Sequence, residues 1–242
     1  MRTQPQEVIT KLEADNSRLA KELVLAGAMH EGLDEFFEGV KMALDPLYTF
    51  GVKKVPESKV DGQGLKWEVF KKLADQLHAR ELTGHDARDA ILLTRDIATM
   101  EQWNKFYRRI LIKDLRCGVS EKTVNKVAKD FPQYSIPIFT CPLAHDSANH
   151  EKKMIGKKQV EVKLDGVRVL TIIQGDTSQG NFSRVEMFSR NGKQFHNFGH
   201  IISEIEEVIK DNPPPYDLVL DGEVMSANFQ DLMKQVHRKS GG

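Results

Sequence analysis

The sequence predicts a multidomain chain in which an all-helical domain over residues 1–130 precedes an α+β domain with a mixed or antiparallel sheet over residues 143–242. The first part carries successive helical hydrophobic patterns, and the second carries short strand patterns separated by Gly, Pro and Asn. Residues 131–142 contain three prolines, which favours a linker. A chain of 242 residues with 40% hydrophobic content has room for two cores.

Four apolar stripes at helical spacing predict the helices of the first domain and are more typical of core than of a ligand site. The stripes are Val8, Leu12, Leu19 and Leu23; Leu33, Phe36, Phe37, Val40 and Leu44; Leu65, Val69, Leu73 and Leu77; and Trp103, Phe106, Tyr107, Ile110 and Leu111. Gly and Pro residues predict a loop over Thr49–Gly64, and Arg80–His85 has the pattern of one helix ending and another beginning.

Charge is unevenly distributed along this chain. The totals balance at 35 basic and 35 acidic residues, yet residues 101–129 hold eight Lys or Arg against three Asp or Glu, a net charge of +5. A local basic patch is typical of a surface that meets phosphates. A solvated helix face would have the same composition, so the alternative stays open.

Within the patch, residues 114–124 read D-L-R-C-G-V-S-E-K-T-V. Gly118 can end one helix, and Ser120 can cap the next with Glu121 in its first turn. Flanked by Arg116 and Lys122, such a helix end is predicted to bind a backbone phosphate without reading base sequence.

A K-x-D-G-x-R cluster begins at Lys163 and is a candidate nucleophile site. Alternation along a predicted strand over residues 159–164 puts Val160, Val162 and Leu164 on one face and Glu161, Lys163 and Asp165 on the other. A lysine amine attacks only after losing its proton, which the nearby Arg168 cation would favour. Gly166 permits a tight turn. A half-buried strand with one charged face is the alternative.

Two further segments extend the pattern. Pro213–Pro215 stops the preceding segment, and Tyr216–Leu220 then has the pattern of a short buried strand that ends in D-G-E, with Asp221 and Glu223 on one face. Such carboxylates can take a metal ion or sugar hydroxyls, although D-G-E is more often a turn. A third strand, Val185–Ser189, leads into R-N-G-K, where Asn-Gly favours a hairpin turn.

Together, K-L-D-G-V-R, F-S-R-N-G-K and L-D-G-E-V resemble the first motifs of the covalent nucleotidyltransferases, which comprise ATP-dependent DNA ligases, RNA ligases and messenger-RNA capping enzymes. The D-L-R-C-G segment is similar to the L-R-x-G signature of the helical DNA-binding domain of ATP-dependent DNA ligases. The closest resemblance is to the ligases of large tailed bacteriophages, with the helical DNA-binding domain followed by the first part of the nucleotidyltransferase (adenylation) domain.

The resemblance implies a role for each motif residue. Lys163 is the nucleophile that takes up AMP, and Asp165 assists the reaction or organises the turn. Nucleotide binding falls to Glu161 at the adenine, Arg168 at the phosphates, Arg190 at the ribose or nick phosphate, and Glu223 at the ribose or metal. The implied DNA contacts are Arg116, Gly118, Ser120 and Lys122.

The implied activity is ATP- and Mg²⁺-dependent sealing of nicked double-stranded DNA in replication, repair and recombination. The family's later motifs and its C-terminal OB-fold are not found before Gly242, so the chain is interpreted as the N-terminal portion of a longer enzyme. Two alternatives remain: a capping guanylyltransferase or RNA-ligase relative, and a non-catalytic nick-binding module.

Composition bears on the redox state of the cysteines, on zinc binding and on the cellular location. Cys117 and Cys141 are unclustered, which favours reduced thiols, and the histidines lack zinc-site spacing. Without a signal peptide or an apolar run that could span a bilayer, the expected location is the cytoplasm, that of the host if the protein is viral. We expect a monomer with no obligatory protein partner.

Overall fold

In the computed structural model, which describes residues 3–52, 54–175, 184–211, 214–226 and 228–236, the chain divides into two units. The units are Met1–Ile138 and Phe139–Gly242, hereafter unit 1 and unit 2. The division between Ile138 and Phe139 falls inside the 131–142 stretch. Part of the Pro213–Pro215 run and the last six residues lie outside the described residues.

Unit 1 is helical. Its helices are α1 (Pro5–Ala14), α2 (Arg18–His30), α3 (Asp34–Leu44), α4 (Trp67–His78), α5 (Gly84–Ile97), α6 (Met100–Gln102), α7 (Arg108–Leu111) and α8 (Glu121–Val127). A π-helical stretch, Trp103–Tyr107, joins α6 to α7, and short 3₁₀ turns follow α8 at Ala128–Asp130 and Pro132–Tyr134.

The core of unit 1 is built from two of the predicted stripes almost unchanged. Leu33, Phe36, Phe37 and Val40 are buried on and just before α3, with Leu44 packed at the margin, and the whole Trp103–Leu111 stripe is buried. Phe36 stacks on Phe106 with ring centroids 5.9 Å apart. The helix end and restart predicted at Arg80–His85 is present between α4 and α5.

The first stripe is wrong beyond Leu12, because the chain forms two helices and not one. Leu19 and Leu23 are 68% and 66% exposed. Asp15 is extended after α1, and Ser17 caps α2 by accepting a hydrogen bond from the Ala20 N–H at 3.1 Å. The break resets the helical phase, so α2 buries Lys21, Leu25, Ala28 and Met29.

The third stripe is also wrong at one position, since Val69 is exposed. Helix α4 begins at Trp67, and its buried face is Trp67, Phe70, Leu73, Ala74 and Leu77. The two aromatic rings take the centre of the stripe and leave Val69 at its edge. Leu65 is buried, but it precedes the helix.

The predicted loop between α3 and α4 contains no helix or strand in its described residues and is anchored by side chains of the 100–111 helical segment. The Trp103 indole N–H donates to Pro56 O at 2.8 Å, and Arg108 Nε donates to Val55 O at 2.9 Å. The Asn104 side chain accepts from Ser58 N–H and donates to Ser58 O. The segment therefore packs as an ordered part of unit 1.

Unit 2 contains a three-stranded antiparallel sheet with strand order β2-β1-β3 among its described residues. The strands are β1 (Val167–Gln174), β2 (Arg184–Phe188) and β3 (Leu218–Val224), and the helices are α9 (Gly199–Ile209) and α10 (Phe229–Val236). Its small core is formed by Val169, Met187, Phe195, Phe198 and Leu232. The predicted turn after β2 is present, with Gly192 at φ 77° and Ser189 N–H donating to Lys193 O at 2.8 Å.

The strand predicted over residues 159–164 is not formed. These residues belong to no helix or strand, and Val160 and Val162 are 92% and 85% exposed. Alternation fixes which side chains share a face, but a strand also needs a hydrogen-bonded neighbour. Both edges of β1 are occupied by β2 and β3, and no described strand pairs with this segment.

The strand predicted at Tyr216–Leu220 forms two residues later and is not buried. Tyr216, Val219 and Leu220 are exposed, and D-G-E lies inside β3 instead of following it. Strand β3 has a single described neighbour, β1, so pairing extends it through Val224 while its apolar side chains stay uncovered.

Candidate functional site

The register of β1 and β3 brings the K-x-D-G-x-R and D-G-E motifs together. Arg168 lies directly opposite Glu223, and Leu170 lies opposite Asp221. Because alternate residues of a strand share a face, Asp221 and Glu223 lie on the same side of β3. Two segments more than fifty residues apart thus meet at one end of the β1–β3 pair.

A bidentate ion pair joins the K-x-D-G-x-R and D-G-E motifs. Arg168 Nε donates to Asp221 Oδ1 at 2.9 Å, and Nη2 donates to Oδ2 at 2.6 Å. Arg168 Nη1 donates to Pro142 O at 2.6 Å. The hydrogen bonds from Arg168 lower the pKa of Asp221, and the same contact raises the pKa of Arg168. Within the described residues these hydrogen bonds use three of the five N–H groups of the guanidinium, which leaves two for a ligand.

Gly166 makes the second link between the motifs. Its backbone N–H donates to Glu223 Oε1 at 3.1 Å. A Cβ at this position would overlap Val224 O and crowd the Met225 sulfur, so the close approach of the two segments requires glycine. Glu223 Oε2 has no hydrogen bond within the described residues, so it can accept one from a ligand.

Lys163 lies in the exposed segment that precedes Gly166. Within the described residues its side chain forms neither a hydrogen bond nor an ion pair. The expected neighbour Arg168 has its guanidinium fixed by Asp221. The structure thus assembles Gly166, Arg168, Asp221 and Glu223 into one arrangement and leaves the Lys163 amine open to solvent.

The other predicted residues of this site are exposed. Glu161 accepts a hydrogen bond from the Gln159 side-chain amide, and Asp165 precedes the Gly166 turn. Arg190 lies in the turn after β2, where its carbonyl accepts from Cys141 Sγ at 3.5 Å. These three side chains are not drawn into the Arg168–Asp221 and Gly166–Glu223 contacts.

In unit 1, the basic patch is largely used within the fold. Arg109 pairs with Glu13 at 2.6 Å, Arg108 with Glu57 at 3.4 Å, and Lys126 with Glu22 at 2.6 Å. Lys105 donates to Thr10 Oγ1, and Lys113 donates to three backbone carbonyls. Of the eight basic residues, Arg116, Lys122, Lys126 and Lys129 are exposed, and Arg116 lies at 3.9 Å from Asp114.

The D-L-R-C-G-V-S segment, residues 114–120, forms a loop that we call the LRCG loop. Ser120 caps α8, accepting from Thr123 N–H at 3.4 Å, with Glu121 in the first turn. The expectation that Gly118 ends a helix is wrong. Helix α7 stops at Leu111, because Lys113 turns into the left-handed region at φ 58°. Gly118 also lies in that region, at φ 67°.

Three side chains with important contacts were missed at the sequence level. Strand alternation placed Asp221 on the same face as Glu223, but it did not predict the ion pair of Asp221 with Arg168. Lys21 and Lys113 had no local signal, since their acceptors are backbone carbonyls distant in sequence.

Two negative findings apply to the part of the chain that the structure describes. No three His, Cys, Asp or Glu side chains come close enough there to hold a metal ion. No helix in that part has both the length and the apolar character needed to cross a membrane.

Comparisons with known proteins give a consistent result. Residues 142–240 match the family model described as ATP dependent DNA ligase domain. A solved structure named "Pmar-Lig_Pre." is 68% identical, with 99% of this chain and 54% of that chain covered and a TM-score of 0.63. Another, "Pmar-Lig_PreS3", is 69% identical, with coverages of 98% and 53% and the same TM-score. No curated protein matches the chain. The chain spans about half the length of these solved structures.

Proposed function

Because residues 142–240 belong to the ATP-dependent DNA ligase domain family, we propose that the protein seals nicks in duplex DNA through a lysyl-AMP intermediate. The observation that carries the proposal is the contact between the K-x-D-G-x-R and D-G-E motifs. Arg168 is held by Asp221, and Gly166 is bonded to Glu223, at the end of β1 next to the Lys163 segment. This arrangement supports a nucleotide site in which Lys163 is the attacking amine.

The proposed reaction has three steps. The Lys163 amine attacks the α-phosphorus of ATP, forming an N–P bond while the P–O bond to pyrophosphate breaks. A 5′-phosphate oxygen at the nick then attacks the adenylate phosphorus and releases the lysine. The 3′-hydroxyl finally attacks the activated 5′-phosphate, and AMP leaves. In such transfers a protein mainly positions in-line groups and neutralises developing charge.

The remaining side chains are proposed to bind and orient the nucleotide. Arg168, fixed by Asp221, directs its two unused N–H groups at a phosphate. Glu223 binds a ribose hydroxyl or the metal ion, Glu161 contacts the adenine amino group, and Arg190 contacts the ribose or the nick phosphate. Asp165 organises the turn that carries Lys163.

The residues present are compatible with Mg²⁺, which usually takes one or two carboxylates together with substrate phosphates and waters. Glu223 would hold it, through the oxygen that makes no hydrogen bond within the described residues. When bound, the ion neutralises charge on the phosphates.

We also propose that unit 1 grips duplex DNA through the LRCG loop and the start of α8. Arg116 and Lys122 are exposed cations there, and Gly118 and Ser120 lie between them. Contacts of this kind act on phosphates irrespective of base sequence, which suits an enzyme that works at any nick.

The catalytic proposal is tested by incubating the complete gene product with radiolabelled ATP or GTP and Mg²⁺. Label from ATP, absent in Lys163→Ala and Lys163→Arg, supports the ligase mechanism, because a guanidinium stays protonated and cannot attack. Label from GTP alone would indicate a capping enzyme instead. No label with either nucleotide would favour a non-catalytic nick-binding module.

The DNA-binding proposal is tested by charge reversal. Arg116→Glu with Lys122→Glu should weaken binding to nicked duplex and lower its salt dependence, because released counterions scale with phosphate contacts. Lys66→Glu with Lys72→Glu, at two exposed lysines, reverses the same number of charges and is the matched control. Unchanged binding by the Arg116→Glu, Lys122→Glu variant would refute the assignment of this surface.

A further inference from the structure

Lys21 of α2 is a buried cation beneath the LRCG loop. The residue is 5% exposed, and Nζ donates to Cys117 O at 2.7 Å. The next oxygen, Asn16 Oδ1, lies at 3.4 Å. Within the described residues no carboxylate lies at ion-pair distance from this ammonium. A buried charge without a counter-ion is costly to a fold.

The ammonium lies directly under Gly118. A Cβ at Gly118 would overlap Lys21 Nζ. The ammonium can lie this close to the loop backbone only because residue 118 has no side chain. Gly118 itself is exposed. The positive charge of Lys21 is therefore separated from solvent by little more than the backbone of the loop.

The loop is braced on its inner side at two alternate carbonyls. Lys21 holds Cys117 O, and Arg109 Nη1 holds Leu115 O at 2.9 Å. Leu115 and Cys117 are buried, whereas Arg116 and Gly118 are exposed. Fixing the inner carbonyls sets which residues of the loop face outward, and those are Arg116 and Gly118.

We propose that Lys21 is a positioning residue for phosphate binding. It holds the LRCG loop by the Cys117 carbonyl, aims Arg116 outward, and leaves its own charge uncompensated beneath Gly118 for a DNA backbone phosphate. The inference rests on the proposed DNA-binding function of unit 1 and assigns that function a buried residue that does not belong to the exposed basic surface.

The test measures binding of nicked duplex by the full chain over a range of salt concentrations, at a temperature where circular dichroism shows every variant folded. Lys21→Met should bind roughly tenfold more weakly, with the slope of log K against log salt reduced by about one. Lys21→Arg should restore much of both. A purely structural role would lower the melting temperature without changing the slope in the folded range.

Two further variants make the outcome decisive. Arg116→Ala combined with Lys21→Met should lose less than the sum of the single effects, because both act on one contact surface. Gly118→Ala keeps the ammonium but crowds it and strains the loop backbone at φ 67°. It should also reduce the slope, and in the temperature range where it is folded it serves as the test if Lys21→Met does not fold.

The two proposals fail in different ways. Folded Lys21→Met with wild-type affinity and slope, or strictly additive losses with Arg116→Ala, would overturn the role of Lys21 alone. A wild-type chain that does not bind nicked duplex would overturn the DNA-binding function, and the role of Lys21 with it.

Discussion

At the scale of single residues, Lys113 shows how a basic side chain can serve the fold. Its ammonium donates to Met42 O at 2.7 Å, Asp45 O at 2.5 Å and Tyr48 O at 2.7 Å. These hydrogen bonds link the end of α3 to the residues that follow it. Burial lowers the pKa of Lys113 to about 8. At neutral pH the side chain is still charged and donates all three hydrogen bonds.

Lys113→Met should destabilise unit 1 by about 2–4 kcal/mol at pH 7, because three carbonyls lose their donor. The folded-state pKa lies below the unfolded value, so between about pH 8 and 10 the unfolded chain binds more protons. Wild-type stability should then rise with pH relative to the variant, by at most roughly 1.4 kcal/mol per pH unit. Urea unfolding of both proteins at pH 7, 8, 9 and 10 measures this difference, and a gap that is constant across these pH values would contradict it.

In unit 2, Asp221 is likewise a charged side chain whose pKa is lowered by its surroundings. Arg168 keeps the pKa of the Asp221 carboxyl below its ordinary value, so the ion pair persists at neutral pH and is lost only as the pH falls through that lowered pKa. Asp221→Asn should slow Lys163 labelling by ATP roughly ten- to a hundredfold, because Arg168 is no longer held in place. Asp211→Asn, at an exposed carboxylate of the same unit, is the control. Equal labelling rates in both variants would rule out this role for Asp221.

At the scale of elements, α1 and α2 show how a cap can override periodicity. Leu25 is fully buried in α2, whereas Leu23, two residues away, is largely exposed. The Ser17 cap sets this phase, and the apolar spacing from α1 does not continue through it.

Leu25→Ala should therefore cost about 2–5 kcal/mol of unfolding free energy, the range for a buried leucine. Leu19→Gln and Leu23→Gln should each change it by less than about 0.5 kcal/mol, as exposed substitutions do. Chemical denaturation of the three variants measures both effects. A loss above about 2 kcal/mol at Leu19 or Leu23 would favour the single continuous stripe instead.

At the scale of the whole molecule, two segments without helix or strand differ in how they are held. Residues 54–64 are anchored to the 100–111 helical segment by the Trp103, Asn104 and Arg108 side chains. Residues 157–165 are exposed and have no comparable anchors within the described chain.

Brief trypsin digestion should therefore cut at Lys157, Lys158 and Lys163 before Lys59, since cleavage requires local opening of the backbone. Mass spectrometry of the first products identifies the cleavage sites. A urea-unfolded sample gives the cleavage rate at each lysine when no folded structure protects it. Early cleavage at Lys59 with Lys163 intact would contradict this difference. Protection of Lys163 by added ATP and Mg²⁺ would support the proposed nucleotide site.

The sequence alone determined the features that depend on local chemistry. The stripes of α3 and of the 100–111 segment, the Ser120 cap, the turn after β2 and the order of the three ligase motifs are all properties of neighbouring residues. Tertiary structure alone decided that residues 159–164 form no strand, that most of the basic patch serves the fold, and that Arg168 pairs with Asp221 and Lys21 with Cys117 O. Those outcomes depend on groups far apart along the chain, since hydrogen-bond partners and burial are fixed only once separate segments pack together.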